Sequence, residues 1–276
     1  QVRAQKFVWG VRQFGWLQAE IEKTPTGLKL TRLATQSPHF GLLGSGSWLA
    51  DATGSQSRLE LHFKSDDLAS ATRALGISDA VEASKAKAVA RLNWRGGLTR
   101  DVLSRMGGEL RLELDEGRIT TVEPGAGRVL GLMSIVELPR RLSLDFRDVT
   151  DEGLAFQTVR GDFELRDGSL YTKNLLLKGP AVDIGFAGRT GIVDQDYDHT
   201  MVVSGNPTGP LAVAGALAAG PVIGAGVLVL SQLFKGQLQG LTRVYYRVTG
   251  PWSDPVVERV SAASQQPAQE SSVPAP

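Results

Sequence analysis

The sequence predicts a mainly β protein built on an antiparallel sheet, and three observations carry that expectation. The first is a period of two: Leu59-Glu60-Leu61-His62-Phe63-Lys64, Leu110 to Asp115 and Leu142 to Arg147 all alternate apolar with polar residues. Such alternation marks strands with one dry and one wet face. Parallel strands are usually buried on both faces, so the pattern favours antiparallel pairing. The second is the turn chemistry between runs, at Thr24 to Gly27, Glu116-Gly117, Asp167-Gly168, Gly179-Pro180 and Thr190-Gly191. The third is composition: 42% hydrophobic residues and 32 glycines support a core and many turns, and argue against disorder.

Taken in order, strands are expected near 16–23, 28–36 and 59–64. A helix over 66–75 follows, with Ser65 as N-cap, acids Asp66 and Asp67 in its first turn, and Gly76 to close it. Ala86, Ala88, Ala90, Leu92 and Trp94 then share one side of a strand whose other side holds Lys85, Lys87, Arg91 and Asn93. A short helix is predicted over 100–106, capped by Thr99 and stapled by Leu98 and Leu103. After the strand at 110–115 comes a helix over 126–138, stopped by Pro139, and a strand at 142–147. Strands near 154–166, 169–178, 182–186, 196–204 and 240–249 complete the sheet. The final residues, 261–276, hold three prolines, one charge and one large aliphatic residue, and read as a disordered tail.

No charged residue lies between His199 and Lys235. The apolar part, Leu211 to Phe234, is long enough to cross a bilayer, yet Gly220-Pro221 breaks it and Gly215, Gly224 and Gly226 weaken it. Two short apolar helices are the expectation. They either plug the sheet or lie in one leaflet of a membrane, and apolar residues on nearly every side favour the membrane. The contact residues would be Leu211, Leu217, Val222, Ile223, Val227, Leu228, Leu230, Leu233 and Phe234.

Several function classes fall away. Thirty basic against 29 acidic residues give a net charge of +1, which argues against nucleic acid as a partner. With no cysteine there is no thiolate nucleophile, thiolate metal site or disulfide. Gly125, Gly127 and Gly131 imitate a dinucleotide fingerprint, but their spacing is GxGxxxG and the setting is antiparallel. Asp194, Asp196 and Asp198 imitate a calcium loop, but His199 and Gly205 stand where glycine and glutamate are required. His39, His62 and His199 are isolated, and no motif sets a nucleophile beside a base. The protein is therefore expected not to be an enzyme and to need no cofactor or metal.

Energetics then point to the dry face. Each large apolar side chain left wet forfeits ~1.5–3 kcal/mol, so a face of a dozen strands would forfeit tens of kcal/mol. That exceeds the ~5–15 kcal/mol net stability of a domain. The face is therefore covered: by folding into a sandwich or barrel, by lipid chains in a trough, or by the bilayer around an outer-membrane barrel. Intervening helices and only 7% aromatics argue against the last.

The second half resembles a known family. The runs Gly127 to Ser134 (GRVLGLMS) and Leu138 to Val149 (LPRRLSLDFRDV) are similar to the C-terminal region of the YhdP branch of the AsmA-like proteins. So are Arg160 to Phe163 (RGDF), Leu177 to Ala181 (LKGPA), Val213 to Val222 (VAGALAAGPV) and Tyr246 to Pro255 (YRVTGPWSDP). The resemblance spans roughly 125–257. It implies a long, curled antiparallel sheet with a hydrophobic groove, in a periplasmic protein of the Gram-negative envelope that carries phospholipids from inner to outer membrane. It also implies that an inner-membrane helix belongs to a part preceding Gln1. The organisation expected is a β-rich groove segment over 1–124, an AsmA-like C-terminal region over 125–260 with the apolar helices at 211–234, and the tail. Groove residues would be Leu59, Leu61, Phe63, Leu110, Leu112, Leu114, Leu142, Leu144, Phe146, Val182, Ile184 and Phe186. The partners would be phospholipids and the outer membrane. The alternative is a β-sandwich module that binds other envelope proteins.

Overall fold

The computed structural model describes residues 1–52, 54–77, 80–99, 101–120, 153–205, 230–238 and 242–260. These build one antiparallel sheet of thirteen strands, each paired with its neighbours in sequence. The strands are β1 (Val2–Trp9), β2 (Arg12–Thr24), β3 (Gly27–Gln36), β4 (Phe40–Asp51), β5 (Gly54–Ser65), β6 (Val81–Arg95) and β7 (Gly107–Ile119). They continue with β8 (Leu154–Arg166), β9 (Ser169–Lys178), β10 (Val182–Gly191), β11 (Asp196–Gly205), β12 (Thr242–Pro251) and β13 (Val256–Arg259). The sheet is open: β1 and β13 are its two edges. A sandwich needs two sheets, and the described residues form one. At about 4.8 Å per strand spacing, the sheet extends roughly 58 Å from edge to edge.

Two short helices flank β6. α1 (Leu68–Ala74) joins β5 to β6, and α2 (Val102–Arg105) joins β6 to β7. Because β6 runs from one rim of the sheet to the other, the two helices lie at opposite rims. The N-cap of α1 is Asp67, not Ser65: its carboxylate accepts from the Ser70 N–H at 3.0 Å. Ser65 instead donates from Oγ to the His39 carbonyl at 2.7 Å, tying the end of β5 to the β3–β4 turn. Gly76 closes the helix as expected. At φ +64° it sets a Schellman motif, in which the Gly76 N–H donates to Arg73 O and the Ile77 N–H to Thr72 O. The N-cap position of α2 is Asp101, not Thr99; the Thr99 hydroxyl is spent on the Asp101 carboxylate at 2.6 Å.

Glu116-Gly117 is not a turn. It lies inside β7, where Glu116 takes φ +47° and kinks the strand. The kink is shared by both neighbours. Pairing skips Ser84 opposite Glu116 on one side and Gln157 on the other. The alternation slips there, so that Ala83 and Ala86 are both buried, as are Phe156 and Val159. Gly117 is required at this point, since a Cβ would stand 1.9 Å from the Glu82 carbonyl oxygen.

Strands β1, β4 and β13 have no counterpart among the sequence expectations. In β4 the reason is plain: Phe40-Gly-Leu-Leu-Gly-Ser-Gly-Ser puts glycines where alternation would show apolar side chains. Gly44 and Gly46 lie under the leucines of β5, with a Cβ at Gly44 falling 2.8 Å from Leu61 Cδ2. The expected helix at 126–138 and strand at 142–147 lie outside the described residues.

Candidate functional site

Register assigns the side chains to faces, because directly opposed residues of a pair point the same way. Leu42 faces Phe63, Phe63 faces Ala88, and Ala88 faces Leu112. Likewise Leu61 leads to Ala90 and Leu110, and Leu110 to Phe163. Farther on, Leu114 pairs with Val159, Val159 with Leu177, Leu177 with Ile184 and Ile184 with Val203. The result is one apolar face crossing the sheet. Leu59, Phe63, Leu110, Leu112, Leu114, Val182, Ile184 and Phe186 belong to a single hydrophobic cluster on it, and Leu61 shares the face by register. Leu142, Leu144 and Phe146 lie outside the described residues.

The reverse face is charged and cross-linked by ion pairs between neighbouring strands. Arg91 meets Glu60 at 3.4 Å, Arg111 meets Asp162 at 2.6 Å, and Arg160 reaches both Glu113 and Asp115 at 3.2 and 3.0 Å. His62 is here too, 3.0 Å from Glu60. Asp196 and Asp198 also lie on this face. Asp196 accepts both guanidinium nitrogens of Arg189, at 2.9 and 2.5 Å, and Asp198 accepts from Arg247 at 3.4 Å. Two of the three aspartates of the apparent calcium loop are thus ordinary wet-face residues, and no metal-binding cluster occurs among the described residues.

The apolar face is not uniform. Over β2–β5 it is partly open to solvent: Ile21, Leu28 and Trp48 are 51%, 42% and 44% exposed and Leu30, Leu42, Leu59, Leu61 and Phe63 are half-buried, while Thr35 and Phe40 are buried. Over β8–β12 it is dry, with Phe163, Leu177, Phe186, Met201, Tyr246 and Val248 all buried. At the open end an aromatic row crosses four strands. Phe7 to Phe14 is 5.4 Å between centroids, Phe14 to Phe40 is 6.4 Å, and Phe40 to Phe63 is 5.7 Å. These spacings are those of favourable ring pairs. The row escapes sequence reading because the β1–β2 register slips twice, between Ala4 and Val8.

A buried polar group interrupts the dry end. His199 is fully buried on the apolar face, with Nε2 2.7 Å from the Thr190 hydroxyl and Tyr197 beside it at 6.0 Å. Burial pushes its pKa down to about 4, against a smaller opposing pull from Asp198. The imidazole is therefore neutral at pH 7. The alternation Tyr197, His199, Met201, Val203 marks His199 as inward-facing, a signal legible in the sequence.

The apolar run before Lys235 is described only from residue 230. Leu230 and Phe234 are buried in a second cluster with Val202, Leu238 and Tyr245, and Leu233 packs at its margin. Val202 and Tyr245 are register partners on the charged side of the sheet, so this cluster covers the reverse face. That corrects the expectation of membrane contact for Leu230 and Phe234, which are buried; Leu233 is half-buried. Their apolar surface is taken up by a local apolar patch of the sheet, where Phe234 lies over Gly185. Leu211, Leu217, Val222, Ile223, Val227 and Leu228 lie outside the described residues. Among the described residues no helix is long and apolar enough to cross a membrane.

An open meander with one apolar and one ion-paired face defines a β-sheet protein whose dry side extends over many strands. A family model described as "YhdP protein" matches residues 1–257, and the chain belongs to the YhdP family. It is also similar to the "Intermembrane phospholipid transporter YhdP" of Escherichia coli (strain K12), at 26% identity over 262 residues. That match covers 94% of this chain but 21% of the relative, so the chain spans about a fifth of the relative's length. No solved structure matches.

Proposed function

We propose that this chain forms part of a conduit carrying phospholipids between the inner and outer membranes of a Gram-negative envelope, with acyl chains lying on the apolar face. The observation that carries the reading is the contrast along that face. Over β2–β5 large apolar side chains stay half-exposed, at a cost of ~1.5–3 kcal/mol for each one fully wet. A sheet selected only for stability would cover them. A face that takes and releases acyl chains must leave them reachable. The similarity to the E. coli intermembrane phospholipid transporter supports the same reading.

In this scheme the contacts are Leu59, Leu61, Phe63, Leu110, Leu112, Leu114, Leu142, Leu144, Phe146, Val182, Ile184 and Phe186. The chain works in the periplasm, held to the inner membrane by a preceding part of the longer protein. The uncharged run meets the outer membrane through Leu211, Leu217, Val222, Ile223, Val227 and Leu228. Leu230 and Phe234 anchor that run to the sheet. The protein carries lipid without covalent chemistry.

The test is photo-crosslinking in cells. Probes at Leu61 and Leu112 should capture phospholipid, and probes at Glu60 and Arg111 should not. Adjacent residues point to opposite faces, so each pair controls for position. Equal labelling of both sets overturns the proposal.

A further inference from the structure

The small residues of the apolar face are of two kinds. Gly44, Gly46 and Gly161 are filled from a neighbouring strand: an added Cβ would stand 2.8 Å from Leu61 Cδ2, 3.4 Å from Leu59 Cδ1 and 3.0 Å from Leu175 Cδ1 respectively. Ala88 and Ala90 of β6 are not filled. Both are half-buried, and neither joins the hydrophobic cluster that takes in Ala83 and Ala86 of the same strand. Register sets Phe63 and Leu61 of β5 on one side of them and Leu112 and Leu110 of β7 on the other. Leu61, which turns a methyl over Gly44, also stays outside the cluster. The result is a furrow along β6, floored by two methyl groups and walled by larger side chains that are themselves half-buried.

The furrow has two ends. Toward α1 the register row Ser65–Ala86–Leu114 is buried, and α1 packs on β6. Toward α2 the row Ser57–Trp94 is buried. Between these rows Ala88, Ala90 and Leu92 are all half-buried. They span about 13 Å at 3.3 Å per residue. Trp94 brings a second observation. It shares the face and strand of the two alanines, is 7% exposed, and its indole N–H has no acceptor. A buried donor left unpaired is uncommon and costly.

Width and chemistry select the occupant. The walls stand on strands two spacings apart, about 9.6 Å between backbones, less the side chains themselves. A helix, at about 10–12 Å across, does not enter. An extended peptide would bury backbone N–H and C=O groups against apolar walls that offer them no partner. An unbranched methylene chain matches the width and the walls, and a carbonyl at its head would satisfy Trp94.

We infer that this furrow seats one acyl chain of a phospholipid, lying along β6 parallel to the strands, with its ester carbonyl accepting from the Trp94 indole N–H and its methyl end toward α1. The inference rests on the conduit reading and deepens it, adding a resting place on the face, a direction for the chain and a preference for the ester linkage.

The experiment uses the full chain and two photoreactive phosphatidylglycerols, one with a diazirine beside the carboxyl carbon and one with it at the methyl end of the chain. Peptide mapping of the parent should put the first label around Leu92 and the second around Ala88. The same spread of both labels over β2–β7 means that chains lie across the strands; it overturns the furrow and leaves the conduit intact. The parent's pattern decides this without any variant. Ala88→Leu/Ala90→Leu fills the floor and should cut both labels about tenfold, the effect of two methylenes losing their burial. Val89→Leu, between them on the reverse face, should leave both unchanged. A double variant that melts and labels like the parent also overturns the furrow. Trp94→Phe keeps a ring and removes the N–H. It should weaken binding of the diacyl lipid about tenfold and leave its dialkyl ether analogue, which has no carbonyl, unchanged. Equal effects on the two lipids overturn the ester assignment. If neither probe labels the apolar face, the conduit reading fails and the furrow falls with it.

Discussion

Leu61→Asp separates a lipid-carrying face from an ordinary core. Leu61 is half-buried on β5, over Gly44 and beside Ala90 of β6. Half of a full leucine burial is worth ~1–1.5 kcal/mol, and the new carboxylate keeps access to water through the exposed side. For a chain of this size that corresponds to a fall in Tm of roughly 2–6 °C. Phe186→Asp is the contrasting case. Phe186 is buried on the dry part of the same face. Losing the ring costs about 3–5 kcal/mol before the charge is counted, which approaches the whole stability of a domain. Leu61→Asp should therefore fold, and Phe186→Asp should not. A carboxylate among acyl chains should cut the phospholipid retained by folded Leu61→Asp about tenfold, measured by extraction and native mass spectrometry against thermal melting. A folded Leu61→Asp that retains lipid like the parent refutes the reasoning, as does a parent that carries none. A melted Leu61→Asp would show that β5 sits in a sealed core.

Three further outcomes follow from the geometry. His199 is neutral in the fold with its pKa pushed down to about 4, while the unfolded chain protonates near 6.5. Acid therefore favours the unfolded state: stability present above pH 6.5 is lost as pH falls toward 4, by on the order of 3 kcal/mol, and His199→Gln should flatten that part of a pH–melting profile. Gly46→Val should destabilise by about 1–3 kcal/mol in thermal melting, because its Cβ would stand 2.5 Å from the Arg58 carbonyl oxygen, whereas Gly97→Ala, with nothing near its Cβ, should change little. Phe234→Ala should cost about 3–5 kcal/mol locally and raise hydrogen exchange in β11 and β12, since Phe234 covers Val202, Tyr245 and Gly185; unchanged protection there would mean that the run does not rest on the sheet.

Much of the architecture was legible in the residues. Strict alternation in β5, β6 and β7 assigned one dry face and one wet face, because side chains on a strand can only point two ways. The antiparallel meander followed from that pattern and from turns such as Asp167-Gly168. The nine described groove candidates fell on one face for the same reason. Gly76 read correctly as a helix stop because a left-handed residue is needed there.

The tertiary structure alone decided matters that depend on neighbours distant in sequence. β4 is a strand although its apolar positions hold glycine, because leucines of β5 fill the space above them. Glu116-Gly117 is a kink within β7, not a turn, because β6 and β8 bend with it. Asp67 caps α1 in place of Ser65 because Ser65 is committed to the β3–β4 turn. Phe7 and Phe14 join Phe40 and Phe63 only through register slips that no local pattern records. Leu230 and Phe234 are apolar in any reading, but hydrophobicity names no partner: it drives a side chain out of water, and only the packed sheet determines that these two meet Val202 and Tyr245.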